Sequence, residues 1–384
     1  MLCVVIRVYF FLVMFLIGTD TFLVSPLLPT LSRLFGISTA VSGWLVSAYA
    51  LGYAGFAVIS GPISDQHDRK QILLYGLAGF AVSTALCGVA TSFWLMLLFR
   101  FLAGVAAAFV TPQVWASIPD VVEPKQIVKV MGYATAGLSV AQLVGIPIGS
   151  YLAAGSWHTP FFVIAGAAVL LMVVCWQALP ALPSQHAHIG FWRTYKQVIG
   201  NHKAVSYLAA YFVFQTGSFT AITFISTWFT RDFGLTLTGV GTAMIGIGAG
   251  NLLGSLLSGY WAKKVSFTRA LALSFVALIV LYIGLTFSPS FIVSEIMVTT
   301  VYVFNGLIFP LLMTTLQQTV ANARSTMSSL ANAAMYLGET MAGGIGGLLF
   351  NAWGFTGIAW FAAIVIAFGG MLYWYHGALN TTAS

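Results

Sequence analysis

The chain has 384 residues, of which 59% are hydrophobic and 6% are charged, and its mean hydropathy is +0.95. Soluble domains carry about 25% charged residues, so this composition excludes an ordinary soluble protein and indicates an integral membrane protein. The formal net charge is +7, but the basic residues are spread over many loops, which argues against a nucleic-acid-binding surface. The three cysteines form neither a metal-binding spacing nor a disulfide framework.

Apolar segments long enough to cross a bilayer follow one another along the chain. A membrane-spanning helix needs about 20 apolar residues, and the breaks between the segments are short and rich in glycine, proline, serine and charge. We see no small-residue cleavage site after the first segment and interpret it as a retained helix. The sequence therefore predicts an all-α integral membrane protein with about twelve spans, at residues 5–30, 38–60, 71–91, 93–117, 129–154, 159–180, 204–228, 236–261, 267–287, 290–316, 326–350 and 355–375.

Basic residues predict the orientation of these spans. If the N-terminus lies inside, nearly all loop lysines and arginines fall on the cytoplasmic side, and only Arg33 and Arg231 fall outside. This asymmetry predicts a multi-pass protein of the bacterial inner (plasma) membrane with both termini in the cytoplasm. The longest connection, 181–203, contains three of the six histidines. We interpret it as a cytoplasmic linker at the membrane surface, with a metal-sensing or lipid-binding loop as the alternative.

Short motifs recur in the two parts of the chain at a nearly constant offset of about 198 residues. The matched pairs are Arg33-Leu-Phe-Gly36 with Arg231-Asp-Phe-Gly234, Thr111-Pro112 with Phe309-Pro310, Gly61 with Gly259, and Ile148-Gly149 with Ile345-Gly346. Because the pairs occupy the same places in each half, we infer duplication of a six-helix unit. The predicted domains are two pseudo-symmetric halves, 1–180 and 204–384, joined by the linker. Parallel repeats of this kind place a substrate site between the halves, near the bilayer midplane.

Four stretches resemble motifs of the major facilitator superfamily. The loop Gly61-Pro-Ile-Ser-Asp65-Gln-His-Asp-Arg69-Lys70 resembles the pattern G-x-L-[AS]-D-R-x-G-R-[RK], with departures at Gln66 and Asp68. Arg100-Phe-Leu-Ala-Gly104 resembles the fourth-helix R-x-x-x-G motif. Gly145-Ile-Pro147-Ile-Gly149 is similar to the antiporter signature of the fifth helix, with the spacing of sugar-efflux and arabinose-efflux-like members of the drug:proton antiporter branch. Gly18-Thr-Asp20, with Pro26 and Pro29, is similar to first helices of that branch.

The resemblance implies gating roles for two groups of residues. It implies that Asp65 makes a contact between the halves when the cytoplasmic side is closed, near a helix N-terminus whose dipole favours a carboxylate. Gly61, Arg69 and Lys70 support that contact, and charge that only sets topology is the alternative. The second gating group, on the fifth span, comprises Gly145, Pro147 and Gly149. The resemblance also implies a monomer.

Two opposite charges lie inside otherwise apolar spans. Asp20 lies in the first span and Arg100 in the fourth, where a charge costs roughly 3 kcal/mol on insertion scales and pairs with another. At 1.5 Å per residue, the two lie within roughly 5 Å of the same depth. Burial disfavours the charged form of a carboxyl group, whereas a nearby arginine favours it. We therefore predict that Asp20 takes up a proton from outside and releases it inside, with Arg100 as its partner. The alternative is a static ion pair.

A polar stripe lies on one face of the eleventh span. Asn332, Tyr336 and Glu339 follow helical spacing there. Their counterparts at an offset of 197 lie on the fifth span and are Thr135, Ser139 and Gln142. We predict that the two stripes form opposite walls of a substrate cavity, in which Glu339 binds a cationic substrate or a second proton. A neutral Glu339 that is hydrogen-bonded inside the bundle is the alternative.

Two amides in apolar spans, Gln215 and Asn305, are further cavity candidates, since an amide in hydrocarbon needs a partner. A hydrogen bond between helices would also satisfy them. The nearby phenylalanines are interpreted as packing.

These observations together predict a proton-coupled secondary transporter that exports small amphipathic or cationic compounds, as in multidrug efflux, by alternating access. The alternatives are efflux of a sugar, nucleoside or other metabolite, proton symport, and a membrane protein that does not transport. No cofactor or metal is expected, and the predicted partners are a small-molecule substrate, protons and the lipid bilayer. We find no phosphate-binding loop and no nucleophile beside a base, so we do not expect an enzyme.

Overall fold

The computed structural model describes residues 2–66, 68–123, 126–180, 191–320 and 324–377. Within these ranges, the side chains of 2–5, 61–66, 119–120, 127–129, 191–194 and 324–325 are not described.

Helices account for nearly all of the described chain. The first half contains α1 (Leu2–Phe35), α2 (Thr39–Ser42), α3 (Trp44–Gln66), α4 (Arg69–Gly88), α5 (Phe93–Val121), α6 (Ile127–Val140), a π-helical turn (Ala141–Gly145), α7 (Ile146–Gly155) and α8 (Thr159–Ala178). After the short helix α9 (Phe191–Ile199), the second half contains α10 (His202–Phe233), α11 (Leu237–Val265), α12 (Phe267–Leu285), α13 (Phe291–Gln318) and α14 (Arg324–Tyr375).

Helix α14 contains two membrane spans. It has 52 residues and is interrupted at Gly354, whose φ of 61° and ψ of −155° are not helical. At 1.5 Å per residue, its length is more than twice the roughly 30 Å thickness of a bilayer core. Eleven described helices are long and apolar enough to cross a membrane when α14 is counted once, and the kink at Gly354 makes twelve spans. The all-α fold with about twelve spans that the sequence predicts is therefore confirmed.

The helices alternate between two ends of the bundle. The end that holds the start of α1 and the end of α14 is called the terminal end, and the opposite end the far end. Gly36 and Gly234 follow α1 and α10 at the far end with φ of +63° and +67°. A side chain disfavours this left-handed conformation, so glycine ends each helix there. The repeated Arg-x-Phe-Gly motif thus has the same structural role in both halves.

Each half has its own hydrophobic core, and the two halves pack their helices alike. An added Cβ at Gly52 would overlap the backbone of α5, and one at Gly250 would lie 2.5 Å from the backbone oxygen of Thr299 in α13. Gly52 and Gly250 are 198 residues apart. The offset found in the sequence is therefore repeated in the close contacts α3–α5 and α11–α13.

The halves touch along an axis that relates the repeats. The Ser25 hydroxyl on α1 donates hydrogen bonds to the backbone oxygens of Ile222 and Thr223 on α10, at 2.8 and 3.0 Å. Ser25 and Thr223 are themselves 198 residues apart. A contact between two residues in equivalent positions lies on the pseudo-twofold axis between the halves.

Two further interfaces flank this axis on its far-end side. In one, the Ser47 hydroxyl on α3 donates a 2.6 Å hydrogen bond to the backbone oxygen of Thr340 on α14. In the other, the hydroxyls of Tyr151 on α7 and Thr242 on α11 lie 2.8 Å apart. These contacts hold the halves together between the middle of the bundle and the far end.

Toward the terminal end, the face of α6 that continues from Gln142 becomes exposed. Thr135 lies seven residues before Gln142 and thus on the same face of its helix. Gln142 contacts α11, but Thr135 is exposed. The structure therefore shows a conformation that is closed at the far end.

Candidate functional site

The predicted charged residues form an ion pair in the middle of the first half. Nη1 of Arg100 donates to Oδ2 of Asp20 at 2.8 Å, and Nη2 donates to the Asp20 backbone oxygen at 3.3 Å. Both residues have 0% exposure. Removing one partner from such a pair leaves a buried charge and typically costs about 3–5 kcal/mol. The pairing agrees with the prediction from depth, and the proton-coupling role stays a prediction.

Aromatic and hydroxyl groups surround the ion pair. The Arg100 guanidinium carbon lies 4.5 Å from the ring centroid of Tyr49 on α3, a cation–π distance. The Thr21 hydroxyl lies 3.2 Å from the Tyr49 hydroxyl and 2.8 Å from the Ile17 backbone oxygen. The positive charge thus sits between a carboxylate and an aromatic face.

The second half brings two of its predicted residues to the same place. The Tyr336 ring of α14 stacks on Tyr53 of α3, with centroids 3.7 Å apart. Glu339 lies one turn farther along α14, is 2% exposed, and is within electrostatic reach of Arg100. The site therefore consists of Asp20, Arg100 and Glu339, and it spans both halves.

Three buried polar atoms of this site have no hydrogen-bond partner among the described residues. They are Oδ1 of Asp20, Nε of Arg100 and Oε2 of Glu339. Buried polar atoms are normally paired, so this cluster has spare capacity for a proton or a polar ligand. Within the described residues, no three His, Cys, Asp or Glu side chains lie together as a metal ion would require.

Gln142 lies in a second contact between the halves. Its carbonyl oxygen accepts a hydrogen bond from the Asn251 side-chain nitrogen on α11. Gln142 belongs to the π-helical turn Ala141–Gly145, which precedes Pro147. Proline has no N–H for the regular i−4 bond, and π turns inside helices are frequent at functional sites.

The remaining cavity candidates are more scattered. The Thr135 hydroxyl bonds to the backbone of its own helix, and Ser139 and Asn332 are half-buried. Gln215 donates to the Tyr211 hydroxyl at 3.3 Å, and Asn305 accepts from the Ser218 hydroxyl at 2.9 Å. The structure thus separates the two stripes: Tyr336 and Glu339 lie in the α3–α14 interface, and Gln142 lies where the π-helical turn meets α11. A shared cavity wall stays a prediction.

The glycines of the predicted gating motif on the fifth span pack against α1. An added Cβ at Gly145 or Gly149 would overlap the side chains of Thr19 or Leu23. Pro147 is buried and begins the last part of this span, α7. The fifth span thus packs directly against α1 at these glycines, and a gating role stays a prediction.

The basic residues of the other gating motif bind the ends of helices in their own half. Arg69 donates to the backbone oxygen of Ala116 on α5. Lys70 donates to the backbone oxygen of Trp176, at 2.8 Å, and to that of Leu179, at the end of α8. Cations at helix C-termini are stabilising. The surroundings of Gly61 and the side chain of Asp65 are not described, and the gating role of these residues stays a prediction.

Three residues of these contacts, Tyr49, Tyr53 and Asn251, were not predicted from the sequence. The repeat offset would have identified two of them, because Tyr53 and Asn251 are 198 residues apart. Each contacts the polar stripe of the other half, Tyr53 through Tyr336 and Asn251 through Gln142. Tyr53 and Asn251 thus occupy equivalent positions on α3 and α11, but their partners differ by about one helical turn, since the counterpart of Gln142 in the repeat is Glu339.

Two six-helix halves that meet around buried charges are an architecture of membrane transporters. A sequence profile of the Major Facilitator Superfamily matches residues 10–338, and a second match covers 207–381. The chain therefore belongs to the Major Facilitator Superfamily, and we describe it as a transporter of that family.

Individual relatives are transporters of several kinds. The chain is 47% identical over 367 residues to the uncharacterized MFS-type transporter YceJ of Bacillus subtilis (strain 168), which covers 95% of this chain and 94% of that protein. It is 26% identical over 342 residues to Multidrug resistance protein 1 of the same organism, covering 86% and 85%. It is 32% identical over 189 residues to a probable sugar efflux transporter of Helicobacter pylori (strain P12), covering 47% of each.

The fold is also that of a solved transporter. A bacterial homologue of the human lysosomal transporter Spinster, crystallised in an inward-facing and occupied conformation, matches with a TM-score of 0.80 and 15% identity. The match covers 97% of this chain and 96% of that chain.

Proposed function

We propose that this protein is a proton-coupled secondary transporter that exports small amphipathic or cationic compounds by alternating access. The observation that carries the proposal is the buried cluster of Asp20, Arg100 and Glu339, which joins the two halves at the middle of the bundle. Intramembrane ionisable residues mark ion and substrate pathways. Asp20 takes up a proton from outside and releases it to the cytoplasm, and Arg100 is its partner.

The conformation described above corresponds to one step of this cycle. With the terminal end in the cytoplasm of a bacterial cell, as the basic residues predict, the far-end contacts close the protein to the outside. An exporter must load its substrate from the cytoplasm, and the exposed face of α6 at Thr135 on that side is suited to loading. Gly61, Asp65, Arg69 and Lys70 act in the opposite conformation, and Gly145, Pro147 and Gly149 let α1 and the fifth span shift against each other.

Glu339 favours a cationic substrate. A buried carboxylate needs a positive partner, and Multidrug resistance protein 1 of Bacillus subtilis resembles this chain over most of its length. Efflux of a sugar or another hydroxylated metabolite is the second candidate. The amide pair Gln142–Asn251 favours it, because two amides offer both donors and acceptors to hydroxyl groups. The similarity to a probable sugar efflux transporter covers only half of the chain.

Transport by purified protein in vesicles tests this proposal. Proteoliposomes with an acidic interior accumulate tetraphenylphosphonium or ethidium if protons drive exchange, and a panel of neutral drugs and arabinose runs in parallel. Asp20→Asn is expected to abolish accumulation while substrate binding is retained. Glu339→Gln is expected to abolish accumulation of the cations but not of the neutral compounds. Unchanged transport by Asp20→Asn would refute the proton role, and accumulation of arabinose alone would favour the second candidate.

A further inference from the structure

The arrangement of the charged cluster assigns Arg100 two carboxylate partners in different halves. We infer that the guanidinium passes from Asp20 in its own half to Glu339 in the other half when Asp20 is protonated, and returns when Asp20 loses its proton. The inference deepens the proposed function, because it states how proton binding favours one conformation. It concerns only these three side chains.

The hydrogen bonds around Arg100 leave room for a second partner. Asp20 uses one carboxylate oxygen and its backbone oxygen to bind Arg100, and its other carboxylate oxygen has no partner among the described residues. Nε of Arg100 and Oε2 of Glu339 are likewise buried without a hydrogen-bond partner in the described structure. An arginine has five N–H donors in a planar fork, so it can turn toward a second carboxylate.

The cluster has one positive charge fewer than it needs to be neutral when both carboxyl groups are ionised. Two ionised carboxylates and one guanidinium sum to −1, and an unpaired buried charge is strongly destabilising. One proton shared between Asp20 and Glu339 makes the cluster neutral, and Arg100 then pairs with whichever carboxylate is ionised. A cationic substrate at Glu339 replaces that proton, which makes exchange of one for the other obligatory.

The position of Glu339 connects this handover to the motion of the halves. Glu339 lies on α14 between two contacts with α3: the Ser47–Thr340 hydrogen bond on its far-end side and the Tyr53–Tyr336 stack on its terminal side. Separation of the halves at the far end breaks these contacts and carries Glu339 away from Arg100. An Arg100–Glu339 pair is therefore available only when the far end is closed, so protonation of Asp20 favours closure there.

The other ionisable groups around the cluster are phenols and one thiol. Tyr49 and Tyr53 face it from α3, Cys87 from α4 and Tyr336 from α14. These groups are neutral near pH 7. Helix α10 brings the neutral amide of Gln215 against α14 at Gly338. The exchangeable proton is therefore assigned to the two carboxyl groups.

A double-mutant cycle in thermal unfolding tests the handover without a substrate or a pH gradient. Glu339→Gln in the wild-type background is expected to change the unfolding midpoint little, because Arg100 remains paired with Asp20. In the Asp20→Asn background the same change leaves Arg100 unpaired, and we expect a further fall of roughly 5 °C or more. With Arg100→Met added, the second effect should vanish, and Glu339→Asp in place of Gln should restore the midpoint.

Glu295→Gln is the matched control. Glu295 also lies in a membrane-spanning helix of the second half, but it faces Gly246 on α11 rather than Arg100. Its effect should add to that of Asp20→Asn. Equal effects of Glu339→Gln with and without Asp20→Asn would overturn the inference.

A measurement in native membranes covers the case in which a variant unfolds on purification. Cysteines replacing Ser25 and Thr223 crosslink across the far end when it is closed. Asp20→Asn should raise the crosslinking rate several-fold, and adding Glu339→Gln should return it to the wild-type rate. No change in either variant would refute the handover. If the unfolding and crosslinking results are as expected but vesicles show no export, only the transport proposal is refuted. If export is observed but the double-mutant cycle is additive, only the handover is refuted.

Discussion

Replacing Gly248 by alanine is expected to disfavour the conformation described here. Gly248 on α11 lies against the π-helical turn of the other half, and an added Cβ would lie 2.5 Å from Cα and 2.7 Å from N of Leu143. Real Cβ contacts are essentially never below 3.0 Å, and backbone atoms cannot rotate away, so the halves must move apart. Overpacking costs about 1–3 kcal/mol, which changes the ratio of two conformations by about 5- to 150-fold.

Crosslinking across a distant interface measures this effect. In a chain whose native cysteines are replaced by serine, Ser25→Cys and Thr223→Cys report closure on the α1–α10 axis. Gly248→Ala should slow disulfide formation in membranes fivefold or more. Gly259→Ala, on the same helix, is the control, because its added Cβ meets no atom within 4 Å. Equal rates in all three proteins would show that contact between the π-helical turn and α11 does not close the far end.

Three further substitutions test individual contacts. Asn251→Leu leaves the Gln142 amide without its partner and should cost about 1–3 kcal/mol of stability, whereas Gln142→Leu in addition should recover part of it; additive losses in thermal unfolding would contradict this. Tyr336→Ala removes the stack on Tyr53 and should lower the free energy of unfolding by about 3–5 kcal/mol. It should also raise proton leak in vesicles, whereas Tyr336→Phe, which keeps the ring, should not. Equal leak in both variants would oppose a role for the ring. Lys70→Ala removes the cation at the end of α8 and should lower stability by roughly 0.3–1 kcal/mol; no difference from Lys70→Arg would contradict capping.

Apolar length and repeated motifs were sufficient to predict the fold. The bilayer core contains no water that could hydrogen-bond to unpaired backbone N–H and C=O groups. An apolar run of about 20 residues therefore folds as a helix, which pairs these groups internally. Gly36 and Gly234 end equivalent helices in the two halves, as the repeated motif indicates. The Asp20–Arg100 pair was predicted because an isolated charge inside the membrane is costly. The merging of the last two spans into one kinked helix at Gly354, the π-helical turn in the fifth span and helix α9 in the linker were not predicted.

The partners of the second half could not be predicted in this way. Glu339 was assigned to a cavity wall opposite Gln142, which stays a prediction. Its place in the α3–α14 interface, within electrostatic reach of Arg100, was not foreseen, because α14 packs on α3 through side chains that look like ordinary packing residues. Tyr53 has no sequence feature that marks it as an interface residue until the repeat offset is applied. Which helices meet across the halves depends on the conformation of the transporter, and a single sequence encodes more than one.

Opposed movement of a proton and a substrate is the most direct test of the account. Proteoliposomes hold a pH-sensitive dye in an acidic interior, and tetraphenylphosphonium is added outside. If protons drive export, uptake of tetraphenylphosphonium is accompanied by alkalinisation of the interior. Both signals should vanish in Asp20→Asn, and the Asp20→Glu protein should retain them. Uptake of the cation with no proton movement, or proton movement that persists in Asp20→Asn, would contradict proton-coupled export through this site.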